Sequence, residues 1–138
     1  MRTYLQGCAY NLAMSWVLLL PLSLTFSLGV AHANNHLIEL RWSSQGSFVH
    51  QAQIKPKAFV EVCGELSAPT SVAWAFTASQ PLDFNVHYHV EKAVVYPVKP
   101  SQLQSAGGTL NVTVPQHYCW MWANKGAEKV TLKAELRR

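Results

Sequence analysis

The chain has 138 residues, a formal net charge of +4, 49% hydrophobic residues and only 13% charged ones. Its Lys and Arg residues are scattered and form no block, which argues against nucleic-acid binding. That length holds one small domain once the leader described next is set aside, and leaves no room for a second.

Arg2 precedes an apolar run, WVLLLPLSLTFSLGV from Trp16 to Val30, and Ala31-His32-Ala33 follows it as an A-x-A site of the kind signal peptidases cleave. The run spans about 15 residues and contains Pro21, short of the roughly 20 that a bilayer-crossing helix needs. Residues 1–33 are therefore expected to be a signal peptide, and residues 34–138 a single exported domain, periplasmic or secreted. LQGC at Leu5 to Cys8 has the look of a lipidation box, but it precedes the apolar run instead of closing it. No second apolar span follows, so no stable membrane span is expected after cleavage. Removing the leader takes Cys8 away and leaves Cys63 and Cys119. Two cysteines in an exported domain with a modest core read as one disulfide, with free thiols acting as metal ligands as the alternative.

Beyond the leader, apolar positions recur with period two and turn residues interrupt them, the pattern of short antiparallel strands. His36 to Trp42 sets Leu37, Glu39 and Arg41 against Ile38, Leu40 and Trp42, and SQGS then turns the chain. Ala58 to Leu66 is a strand closed by Ser67-Ala68-Pro69. Ser71 to Ala78 puts Val72, Trp74 and Phe76 on one face, and SQPLD is expected to turn the chain into a separate strand, FNVHYHV. A turn at Glu91-Lys92 leads to AVVYPV. Lys99 to Gly108 is the longest turn-rich connection and is expected to be a surface loop. The strands GGTLNVTVP, HYCWMWAN and KVTLKAEL complete the chain, the last with Val130, Leu132, Ala134 and Leu136 inward. The expected fold is all-β, an antiparallel sandwich of about seven to eight strands, jelly-roll-like in class. Its core is assigned to Phe59, Trp74, Phe76, Phe84, Tyr88, Tyr96, Tyr118, Trp120 and Trp122.

From Val60 to Leu136 the chain resembles a GOLD (Golgi dynamics) domain, the luminal β-sandwich of eukaryotic secretory cargo receptors. Three stretches carry the likeness: the strand bearing Cys63; DFNVHYH leading through a turn into VVYPV; and HYCWMWAN followed by the alternating KVTLKAEL. The resemblance implies a disulfide between Cys63 and Cys119, in agreement with the cysteine count. The family continues into a helical stalk, a membrane span and a sorting tail, whereas this sequence ends at Arg138, so the likeness is expected to extend to architecture and not to cargo reception.

The histidine pair in DFNVHYHVE raises the question of a site. Strand alternation places Phe84, Val86, Tyr88 and Val90 on one face and Asn85, His87, His89 and Glu91 on the other. With the apolar set inward, both histidines are expected to be solvent-exposed. Side chains at i and i+2 stand about 7 Å apart, near enough for two imidazoles to share one metal ion. Further donors would come from His117, Met121, His50 or an amino terminus carrying His36, which cleavage after Ala33 would place third, in a pattern suited to Cu(II). Three readings stay open at this point: ordinary polar residues on a solvated face, a copper or zinc site, or a proton- or partner-sensing surface of Asn85, His87, His89 and Glu91.

Catalysis is not expected. Residues 34–138 hold Asp83 as their lone aspartate, no paired carboxylates, no C-x-x-C, no nucleophile elbow and no phosphate loop, so no catalytic residue is assigned. Asn111-Val112-Thr113 is a glycosylation sequon, of consequence only in a eukaryotic host; a bacterial periplasm is preferred. The expected function is an exported, non-enzymatic binding module that meets a protein or envelope component through a sheet face or edge. The alternative is a small periplasmic copper- or zinc-binding protein using His87 and His89.

Overall fold

A computed structural model describes residues 37–99 and 102–138. The expected signal peptide at 1–33, its cleavage site and His36 lie outside the described residues. Among the described residues there are eight strands: β1 (Leu37–Glu39), β2 (Ser47–Ile54), β3 (Phe59–Leu66), β4 (Thr70–Val90), β5 (Ala93–Val98), β6 (Leu103–Val112), β7 (Gln116–Ala123) and β8 (Val130–Arg137). The fold is an all-β sandwich. One sheet runs β1-β3-β7-β4-β5 and the other β2-β8-β4-β6, with β4 shared by both. All pairings are antiparallel except β1 with β3.

The strands' apolar phases face each other. Val60, Val62 and Leu66 of β3, Tyr118, Trp120 and Trp122 of β7, and Val130, Leu132, Ala134 and Leu136 of β8 are all buried. A cluster of tilted rings lies between the two sheets: Phe84 lies 4.7 Å from Trp74, 5.0 Å from Phe76 and 5.4 Å from Trp122, centroid to centroid. Such offset and tilted contacts contribute beyond the area they bury. Leu40 packs so closely over β3 that a Cβ on Gly64 would come within 2.7 Å of its Cβ, which excludes any larger residue there. Asn124, buried just after β7, ties the loop to the core: its Nδ2 donates to the carbonyls of Ile54 (3.1 Å) and Glu128 (2.7 Å), and its Oδ1 accepts from the Gly126 N–H (2.9 Å). Tyr118 Oη donates to the Val114 carbonyl at 3.0 Å, pinning the entry to β7.

Several expectations are corrected. SQPLD does not separate two strands. β4 is one strand of 21 residues whose register breaks between Thr77 and Leu82 as it passes from one sheet to the other. Pro81 sits at that exposed corner, where no ladder hydrogen bond is asked of its missing N–H. The expected loop from Lys99 to Gly108 is largely β6, which pairs with β4 from Leu103 onward. Its glycines mark close packing and not a turn, since a Cβ on Gly108 would meet the Trp74 ring at 3.0 Å. β2 was not expected, because its inward phase of Phe48, His50, Ala52 and Ile54 mixes polar and small residues and hides the alternation. Phe59 and Tyr96, assigned to the core, are 40% and 43% exposed because both fall on the outward phase of their sheet.

His50 of β2 lies opposite Ala134, half-buried, and burial holds its pKa below the ordinary 6.5. The unfolded chain takes up the proton near that ordinary value and the folded chain only at a lower one, so protonation favours unfolding. The stability involved is fully present above the unfolded pKa and is lost as pH falls through the folded one. Thermal melts from pH 7 down to about pH 5 should therefore decline less steeply in His50→Gln than in the parent protein. Parallel decline in the two would remove His50 as the cause.

Candidate functional site

The outward face of the β1-β3-β7-β4-β5 sheet gathers the polar chemistry of the domain. Register sets the arrangement. Cys63 of β3 is opposite Cys119 of β7, which is in turn opposite His87 of β4. Two residues along, Glu61, Met121 and Asn85 form a parallel row. Period-two pleating projects all six side chains to the same side. Cys63 and Cys119 are joined by a disulfide with an S–S distance of 2.09 Å and Cα atoms 4.1 Å apart, a direct cross-strand link between neighbouring strands of one sheet.

His87 shares its face with His89, as alternation requires, but it is not solvent-exposed: only 6% of its surface is accessible. Asn85 is buried as well. The expected exposed row fails at both positions because the face is roofed. β4 is flanked by β7 and β5, the bulge between Val86 and Tyr88 shifts β5, and the Tyr96 ring comes to 5.8 Å from the His87 ring. Both imidazole nitrogens are engaged. Nε2 lies 3.0 Å from Glu61 Oε1 and Nδ1 lies 2.8 Å from Asn85 Oδ1. Glu61 and Asn85 thus hold the ring from both ends. Glu61 is the partner that reading the sequence missed; its signal was the shared phase with Cys63 in VEVCGEL.

The remaining candidates divide. His89 is exposed, with its ring 5.3 Å from that of His87. Glu91 occupies the β4–β5 turn with φ +52° and faces solvent beyond the row. His117 is exposed on β7, and its donor nitrogen lies with the sulfurs of Cys63 and Cys119 inside a 4.8 Å cluster. Glu61, His87 and Cys119 form a second cluster within the same limit. Met121 is half-buried between Glu61 and Asn85. His50 belongs to the other sheet, inward, and is no part of this face. His36 lies outside the described residues. With the disulfide closed the two sulfurs offer no thiolate.

Beside the clamp an open depression of about 230 Å³ is lined by Asp83, Asn85, Tyr96, Lys99, Met121 and Lys125. Lys99 Nζ stands 4.4 Å over the Tyr96 ring. Next to it the β4–β5 hairpin exposes Val94 and Tyr96 on this face and Val90 and Val95 on the other phase. Among the described residues β5 pairs with β4 alone.

No family model and no curated protein matches the chain. Solved structures do resemble it. The pre-peptidase C-terminal domain of a collagenase from Bacillus anthracis aligns with a TM-score of 0.52 and 6% identity, over 73% of this chain and 94% of that one. PliG from Salmonella Typhimurium, described as a periplasmic lysozyme inhibitor of g-type lysozyme, aligns with a TM-score of 0.50 and 11% identity, over 73% of this chain and 96% of that one. At these identities the likeness is one of fold.

Proposed function

We propose that the chain is an exported, non-enzymatic binding module that meets a protein partner through the β4–β5 edge and the adjoining outer face. The carrying observation is β5 itself: an edge strand that exposes Val94, Val95 and Tyr96, beside Val90, with no strand on its far side among the described residues. Unprotected apolar edges invite another chain to pair with them. The clamp of Glu61, Asn85 and His87 beneath Tyr96 makes that surface rigid, which lowers the ordering cost of binding. The disulfide fits an oxidising compartment, periplasmic or secreted. A GOLD-like sandwich belongs to the same proposal, on the strength of the Cys63 strand, the hairpin at 83–98 and the Cys119 strand. The fold neighbour from Salmonella, described as an inhibitor of g-type lysozyme, supports a protein as the partner and offers the first one to try.

A resident copper or zinc ion on His87 and His89 is the weaker reading, because Glu61 and Asn85 already hold both nitrogens of His87. The test is a photoreactive residue at position 94, with position 131 on the opposite sheet as control. A discrete adduct from 94 alone, lost in Tyr96→Ala, is the expected outcome. Equal adducts from both positions, or none from 94, would end the proposal. Inhibition of g-type lysozyme by the purified protein would name the partner class directly.

A further inference from the structure

We propose that, once its disulfide is opened, this protein holds a zinc ion in a tetrahedral site made by Cys63, Cys119, His117 and His87. The inference does not depend on the β4–β5 edge. It rests on four donors that the register delivers to one face from three adjacent strands. The sulfurs of Cys63 and Cys119 and a nitrogen of His117 lie within 4.8 Å of one another, and a nitrogen of His87 lies within the same distance of the Cys119 sulfur. A tetrahedral zinc with Zn–S of about 2.3 Å and Zn–N of about 2.0–2.1 Å spaces its donor atoms roughly 3.3–3.8 Å apart. Neighbouring strands thus bring the donors close to Cys119, and side-chain rotation after the sulfurs part is what would gather His87 and His117 around one ion.

The surroundings suit the ion. Two thiolates neutralise its charge. Cys63, Cys119 and His87 are buried and His117 is exposed, so the ion enters from the solvent side through His117. His87 Nε2, which now meets Glu61 Oε1 at 3.0 Å, turns to the ion, and Nδ1 stays 2.8 Å from Asn85 Oδ1. A ligating histidine that donates its other N–H to a carbonyl oxygen is the usual supporting arrangement of zinc sites.

The redox step balances with a thiol reductant. Two reductant thiols pass two electrons to the bridge, the Cys63–Cys119 S–S bond breaks, two cysteine thiols form and the reductant leaves as its own disulfide. Zinc then displaces the two thiol protons to solvent. A small-molecule disulfide reverses the sequence, re-forming the bridge and releasing the ion. The site is thus closed to metal when oxidised, and the ion takes over the link between β3 and β7 when reduced.

The test uses Co(II) as a spectroscopic stand-in, titrated anaerobically into the purified protein after treatment with a phosphine reductant. One equivalent should bind with thiolate-to-cobalt charge-transfer absorption and the intense visible bands of tetrahedral cobalt, zinc should displace it, and oxidised protein should show neither feature. His117→Ala, at an exposed position that folding does not need, should weaken binding by about tenfold or more and shift the visible bands. His87→Gln should do the same; should that variant fail to fold, protection of both cysteines from alkylation by zinc in the parent protein decides. Native-like reduced protein without the thiolate band overturns the proposal. So does binding unchanged in His117→Ala. If reduction alone unfolds the chain, added zinc must restore its β-sheet circular dichroism, and failure to do so is equally fatal.

Discussion

Replacing Trp122 with alanine should lower the melting temperature by more than about 12 °C, the largest effect expected from any single change in this domain. The ring is 1% exposed and lies 5.4 Å from Phe84 and 5.8 Å from Phe76, centroid to centroid. Phe76 belongs to the part of β4 that pairs with β6 and β8, and Phe84 to the part that pairs with β7. Trp122 therefore packs where the two sheets meet, and truncation opens a cavity between them. Removing a buried Trp costs about 3–5 kcal/mol, a large share of the roughly 5–15 kcal/mol that a whole domain has. Trp122→Phe should behave very differently. Among the described residues the indole N–H groups of Trp74, Trp120 and Trp122 are buried without a hydrogen-bond partner. Phenylalanine keeps most of the ring contact and removes one such group, so its cost should stay below about 2 kcal/mol. Equal losses from the two variants would show that the polar atom and not the packing sets the stability here.

Opening the disulfide comes next in size. Cys63→Ala with Cys119→Ala releases a link across a sequence separation of 56 residues, which the chain-entropy model values at about 4 kcal/mol. The two alanines keep the site apolar and leave no unpaired hydroxyl, so the loss reports on the cross-link. Chemical denaturation of the double variant should show a lower midpoint and a larger m-value, since the untethered unfolded chain exposes more surface. An unchanged midpoint would mean that the β3–β7 ladder alone supplies the constraint. The same change removes both thiolates of the proposed zinc site, so the double variant also serves as the cobalt-silent control.

The strand phases were legible in the sequence, and for a physical reason. Alternation is a property of the pleated backbone, so Val130, Leu132, Ala134 and Leu136 declare one face of β8 whatever they pack against, and Phe84 with Val86 declare the inner face of β4. The two cysteines beyond residue 33, Cys63 and Cys119, likewise pointed to a bridge by their number. What the tertiary structure alone decided is everything that depends on which strands become neighbours. Phase put His87 outward, yet its burial comes from Tyr96 on β5 and its nitrogens meet Glu61 on β3 and Asn85 on β4, and cross-strand pairing from distant segments is invisible to local periodicity. The unbroken path of β4 through Pro81, the pairing of Gly107 and Gly108 against Trp74 and Ala75, and the polar inward phase of β2 were hidden in the same way. In each case a residue whose local preference is for a turn or for solvent is held in a strand by hydrogen bonds and packing from the strands beside it, and those outweigh a preference worth about 1 kcal/mol or less.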